Sequence, residues 1–257
     1  MDDSFSSSLS HLLAELKRIE LKLHLQVIKS RQANICGEKD KFRGLYISDQ
    51  EIDSIIGISV SPQGDIPPQP IDSVPVTLGK SLANLEADIA RRKQGSLQNG
   101  LVLRLHQLEH LFSLSTFDID ILLVCILPEL DLRYQRLYAY LQDDLTKKSP
   151  TVDLILSLLC NSFNDRLKAR QAFSLESPLI KNHLVHLYEE HPQKATPLLA
   201  KGLQADEGIT SYLLGADQID THLLTFTHLL HPKAKLISHD IRCHGFSGTR
   251  WTGEECI

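Results

Sequence analysis

The chain has 257 residues, 42% hydrophobic and 23% charged, with a formal net charge of -5. That length can bury a sizeable core in one or two domains, with two expected, and the negative balance excludes a general attraction to phosphate backbones, so nucleic-acid binding needs a local basic patch. Five cysteines (Cys36, Cys125, Cys160, Cys243 and Cys256) stand singly, two within apolar runs, which speaks against a disulfide framework and for reduced thiols in a cytoplasmic setting.

The start, Met1-Asp2-Asp3-Ser4, lacks the pattern of a secretory leader. Leu9, Leu12, Leu13, Leu16, Ile19, Leu23 and Val27 then recur at spacings of three and four behind a serine cluster, predicting a capped amphipathic helix from Leu9 to Ile28. Its stripe stops within about three heptads, which favours packing on its own domain over a coiled-coil seam. Phe42 to Glu51 reads as a short extended piece leading to a helix capped by Ser48 or Asp49 ahead of Ile52, Ile55 and Ile56. Prolines at 62, 67, 68, 70 and 75 mark a long loop or linker over 59–75. Helical spacing returns from Leu78 to Arg92, and Gly95 to Gly100 predicts a break.

Leu101 to Phe112, Thr116 to Leu127 and Asp131 to Leu141 read as three further helices. The longest apolar stretch, Ile119 to Leu127, is interrupted by Asp120 and followed by Pro128, far short of the ~20 residues that cross a bilayer. Pro150 and Thr151 open another helix through Val152, Ile155, Leu156 and Leu159, and Asn164 begins a short charged one ending at Phe173. Beyond Pro178, Leu184–Tyr188 and Leu198–Leu203 predict the two strands of a hairpin. Asp206-Glu207 leads into a helix ending at the C-cap Gly215, and the stretch from Ile237 reads as loop.

Two stretches carry a family likeness. Lys41-Phe42-Arg43-Gly44-Leu45-Tyr46-Ile47-Ser48 with Glu51 is the first. The second, longer and more specific, is Leu127-Pro128-Glu129-Leu130-Asp131-Leu132-Arg133-Tyr134, continuing through Arg136-Leu137-Tyr138-Ala139-Tyr140-Leu141-Gln142-Asp143-Asp144 to Pro150-Thr151-Val152. Together they resemble the bacterial AAA-type ATPases that place a helical amino-terminal region and a winged-helix domain ahead of an ATPase core, some of which accompany contractile injection systems. Weaker echoes lie at Ser177-Pro178-Leu179-Ile180, Pro197-Leu198-Leu199-Ala200 and Tyr212-Leu213-Leu214-Gly215, so the likeness runs from about Leu9 to Leu224.

The resemblance implies a mainly α fold: a helical amino-terminal region over 1–95 with its Pro-rich loop at 59–75, a winged-helix-like domain with a small β-hairpin wing over 96–215, and a partly irregular tail over 216–257. It implies a regulatory, partner-binding module whose protein partners are an AAA core or a client, with no membrane. ATP and Mg²⁺ belong to the core, which this chain is expected to stop short of; no cofactor or metal is expected here, and His239 to Ile257 departs from the family pattern.

The residues themselves agree with a module that has no active site of its own. Gly79-Lys80-Ser81 supplies the end of a phosphate-binding loop, but Val74 stands where its first glycine belongs and Pro75 disturbs it. Glu129, Asp131, Arg133, Arg136, Asp143 and Asp144 read as caps and local ion pairs rather than an acid–base pair. Between Phe112 and Arg170 seven Lys/Arg face eight Asp/Glu, and the candidate recognition helix, Pro150 to Cys160, is almost wholly apolar. The cations that could still touch a partner or nucleic acid are Lys147, Lys148, Arg166, Lys168 and Arg170, which leaves a DNA-binding winged-helix regulator as the alternative. His239, Cys243, His244 and Cys256 lack the paired spacing of a zinc knuckle, and His183, His186 and His191 read as surface residues on differing faces. No hydrolase elbow or catalytic cysteine signature is present in the sequence.

Overall fold

The serine run starts the first helix as expected. The Ser7 hydroxyl accepts the Ser10 N–H at 3.1 Å, and the Ser10 hydroxyl accepts the Ser7 N–H at 3.1 Å, a reciprocal cap that opens α1, Ser8–Cys36. The computed structural model describes residues 4–36, 49–55, 74–189 and 195–216. The chain divides into a unit of Met1–Ile219, which holds all of these residues, and a second unit, Asp220–Ile257. Leu12, Leu16, Ile19, Leu23 and Val27 of α1 are buried against neighbouring helices, chiefly α3, Val74–Gln98, and α5, Thr116–Leu130. The stripe therefore packs on its own domain. Between them, α2 spans Asp49–Ile55 with Ile52 buried; the extended piece expected before it and residues 59–73 lie outside the described residues, and the last two positions of the loop expected over 59–75, Val74 and Pro75, instead open α3, whose first turn tolerates proline.

Helices α1 and α3 outrun their expected spans, α1 to Cys36 and α3 from Val74 to Gln98, and at two boundaries the reason is tertiary. α3 continues through Gly95 because the buried Ser96 is held from both sides: its hydroxyl donates to the Arg92 carbonyl at 2.8 Å and accepts the Phe5 N–H at 2.7 Å. The break shrinks to Asn99-Gly100, where Gly100 takes φ +73°, a conformation favourable to glycine. α4, Arg104–Leu111, has Leu103 at its N-cap, which carries no side-chain oxygen. Ser8 of α1 supplies one instead, accepting the Arg104 N–H at 2.8 Å.

α5 is the central helix. The Ser115 hydroxyl accepts the Asp118 N–H at 3.2 Å and the Asp118 carboxylate accepts the Ser115 N–H at 2.9 Å, a capping box. Every residue from Asp118 to Pro128 is buried, as a helix apolar on all sides must be. Of its two buried carboxylates, Asp118 serves the cap, and Asp120 is met by Arg18 Nη2 at 2.5 Å and Lys22 Nζ at 2.7 Å from α1. Pro128 lies inside the helix and has no N–H for the carbonyl four residues back, that of Val124. The Tyr138 hydroxyl, fully buried on α6, Arg133–Leu141, donates to that carbonyl at 2.8 Å.

After α6 come α7, Val152–Leu159; α8, Phe163–Ala169, continued by a 3-10 turn at Arg170–Phe173; and α9, Pro178–Lys181. The hairpin pairs β1, Val185–Tyr188, with β2, Gly202–Ala205, antiparallel with Val185 opposite Ala205 and Tyr188 opposite Gly202. The expected second strand, Leu198–Leu203, is displaced: Leu198–Ala200 forms a 3-10 turn behind Pro197. Gly202 can stand opposite Tyr188 because it has no side chain; a Cβ there would lie 2.5 Å from Tyr188 Cζ. A short extended piece at Pro150–Val152 joins the other edge of β2, with the Leu203 N–H on the Pro150 carbonyl at 2.8 Å and the Val152 N–H on the Lys201 carbonyl at 3.1 Å. α10, Glu207–Leu214, closes with Asp206 accepting the Ile209 N–H at 3.2 Å and Gly215 at φ +105°, the cap and stop read from the sequence. One apolar cluster takes side chains from α1, α2, α4 to α7, α9, both strands and α10. The fold is mainly α with a small hairpin, as expected.

Candidate functional surface

Thr151 belongs to two elements at once. It is bridged to Gly202 in the sheet, and its hydroxyl accepts the Leu154 N–H at 3.3 Å, capping α7. Val152, Leu154, Ile155 and Leu156 point into the core. The segment Pro150–Cys160, read as the candidate recognition helix, is therefore the core-facing helix after the short strand. That placement suits its almost wholly apolar sequence, and α8, its 3-10 continuation and α9 lie between it and the hairpin. Ser162 caps α8 by accepting the Asp165 N–H at 3.1 Å. α8 contributes no buried residue: Phe163 is 73% exposed, Leu167 53%, and Leu175 beyond the 3-10 turn 80%.

The five cations singled out by the sequence fall into two groups, each with local neighbours. Arg166, Lys168 and Arg170 lie on α8 and its continuation, and Arg166 Nη2 donates to Asp153 of α7 at 2.7 Å, so part of that charge is already answered. Lys147 and Lys148 lie in the turn between α6 and α7. Gln142 fastens this turn: its amide nitrogen donates to the carbonyls of Tyr138, Lys147 and Ser149 at 3.1, 3.2 and 3.1 Å, and its oxygen accepts the Thr151 N–H at 3.1 Å. Lys147 Nζ is 3.9 Å from Asp144. Lys148 lines an open cleft of about 530 Å³ with Glu51, Gln135 and Arg136, where Arg136 and Glu51 pair directly.

The acids behave as capping and pairing groups. Asp131 accepts the Arg133 N–H at 2.9 Å and its Nε at 2.7 Å, and Asp144 accepts the Thr146 N–H at 3.0 Å and hydroxyl at 2.6 Å. Gly79-Lys80-Ser81 lies within α3, where the backbone amides serve the helix and cannot cradle a phosphate. Burial pushes the Cys125 thiol well above its ordinary range, opposite to what a reactive cysteine needs. His183 and His186 are exposed but do not lie on differing faces: their rings stack with centroids 6.0 Å apart, and His186 Nε2 is 3.4 Å from Asp206. His191, His239, Cys243, His244 and Cys256 lie outside the described residues.

Sequence reasoning missed the charge network at the α1–α5 contact. Glu15 accepts Arg18 Nε at 2.7 Å, and Arg18 and Lys22 share Asp120. The signal was present: two cations four apart on α1, and one carboxylate inside an otherwise apolar run. Among the described residues no group of three or more His, Cys, Asp or Glu is placed to hold a metal ion, and no helix is long and apolar enough to cross a membrane.

In comparison with known proteins, the family model described as "Winged helix domain, variant" matches residues 1–227. No curated protein and no solved structure matches the chain.

Proposed function

This chain belongs to the family of the variant winged helix domain, and from that premise we propose that it acts as a non-catalytic regulatory module that binds protein partners, among them the core of an AAA-type ATPase. The observation that carries the reading is the surface of α8. Phe163 and Leu167 stand largely in solvent there, and Arg166 is partly spent on Asp153. An exposed apolar pair ringed by charge gains more from covering by a protein than from a phosphate backbone. The link to an AAA core rests on the likeness of the Leu127–Asp144 stretch, and the free Cys125 and Cys160 suit a reducing cytoplasm.

The test is co-migration of the full chain with a separately supplied AAA core, repeated with Phe163→Ser and Leu167→Ser. The reading expects a complex with the unaltered chain and its loss in both variants. No complex, or one indifferent to both substitutions, overturns it.

The second reading, a DNA-binding winged-helix regulator, is favoured by one observation: Lys168 and Arg170 are exposed on α8 and its 3-10 continuation, ahead of the hairpin. Titration with duplex DNA at two salt concentrations separates the readings. Affinity that falls steeply with salt and is lost in Lys168→Ala or Lys147→Ala/Lys148→Ala supports DNA; no binding at low salt removes it.

A further inference from the structure

His106 and His110 are one helical turn apart on α4, and their rings stack with centroids 4.4 Å apart at 20°. We propose that this pair is a chelating site for a divalent transition metal of the zinc class, with water in the remaining coordination positions. Imidazole nitrogens suit Zn²⁺, Ni²⁺ and Cu²⁺, and the i, i+4 spacing on one helix face is the spacing used where two histidines of a helix share a zinc ion. Two Zn–N bonds of about 2.1 Å at a tetrahedral angle set the nitrogens about 3.4 Å apart. The rings now stack nearly parallel, so chelation requires them to rotate until two nitrogens converge on the ion.

Three further observations point to a cation here. Neither ring has a hydrogen-bond or ion-pair partner among the described residues, so binding gives up only their mutual stack. His110 lies in the last turn of α4, where the helix presents its negative end. The charged and polar neighbours are engaged elsewhere: Glu109 with Lys93 at 2.7 Å, Gln107 with the Tyr212 hydroxyl at 2.7 Å, and the Arg104 guanidinium on the Tyr212 carbonyl at 2.7 Å. Both rings also line an open cleft of about 720 Å³ bounded by Leu108, Ile209 and Tyr212, which leaves an ion reachable from solvent.

The full chain is titrated with Zn²⁺ and, separately, Ni²⁺ by calorimetry, with the thermal midpoint followed in parallel. Because the chain holds twelve histidines, the measurement is made as a difference between variants. Relative to the unaltered chain, His106→Gln/His110→Gln is expected to lose one binding event and its midpoint rise, while each single variant weakens that event by at least about tenfold as the chelate is lost. His183→Gln/His186→Gln is expected to keep it, and Mg²⁺, which prefers oxygen ligands, is expected to leave the midpoint unmoved. Equal stoichiometry and affinity in the unaltered chain and the double variant, or no Zn²⁺ binding at all, overturns the proposal. Unchanged far-ultraviolet dichroism confirms that substitutions at the half-buried His106 and the exposed His110 leave the fold intact.

Discussion

Replacing Tyr138 with phenylalanine removes the hydroxyl that donates to the Val124 carbonyl at 2.8 Å and changes little else, because the ring stays in its fully buried place. That carbonyl has no N–H four residues on, where Pro128 stands. The variant therefore strands a buried acceptor, at a cost of about 1–3 kcal/mol. With a urea slope of about 2–3 kcal/mol/M for a domain of this size, the unfolding midpoint falls by roughly 0.3–1.5 M with the slope unchanged. The partner substitution makes the test specific. Pro128→Ala restores a helical N–H to position 128, so Tyr138→Phe in that background should cost only a few tenths of a kcal/mol beyond the lost contact, and the cycle should show a coupling of about 1 kcal/mol or more. Equal costs for Tyr138→Phe in the two backgrounds, within about 0.3 kcal/mol, would show that the hydroxyl does not stand in for the N–H that Pro128 lacks.

Asp120→Ala leaves Arg18, whose side chain is only 11% exposed, without its interhelical partner; a loss of about 3 kcal/mol in denaturant unfolding is expected, and one below about 1 kcal/mol would show that the α1–α5 contact does not depend on the pair. Burial alone would raise the Glu15 carboxyl, but His11 at 3.7 Å, an electrostatic neighbour rather than a hydrogen-bonded one, and Arg18 at 2.7 Å outweigh it and hold the group at about 2 against an ordinary 4.5. Because the folded-state value is the lower one, the stabilisation of about 3 kcal/mol is fully present above about pH 4.5 and is lost as the pH falls toward 2; acid titration of Glu15→Gln should lack this component. Gly202→Ala drives a Cβ into the Tyr188 ring at 2.5 Å, expected to cost about 1–3 kcal/mol; Tyr188→Ala should relieve it, and a cost unchanged in that background would place the strain elsewhere.

The features that could be read from the sequence are those decided by neighbours along the chain. The periodic leucines of α1, the capping box at Ser115 and Asp118, and the Asp206 start and Gly215 stop of α10 depend on residues within a turn of each other. Their hydrogen bonds and apolar spacing are written locally. The cations of α8 were equally visible as residues, but their position in the module was not. That depended on the packing around Thr151, which pairs with Gly202 and starts the core-facing helix α7 ahead of the exposed α8. The same holds for β2, which starts four residues later and ends two later than its local pattern, with Gly202 against Tyr188. It holds also for Asp120 and Val124, polar groups inside an apolar run whose partners, Arg18, Lys22 and Tyr138, lie on other helices. A buried charge or carbonyl must be satisfied somewhere. The sequence establishes that need, and only the packing of distant segments decides which residue meets it.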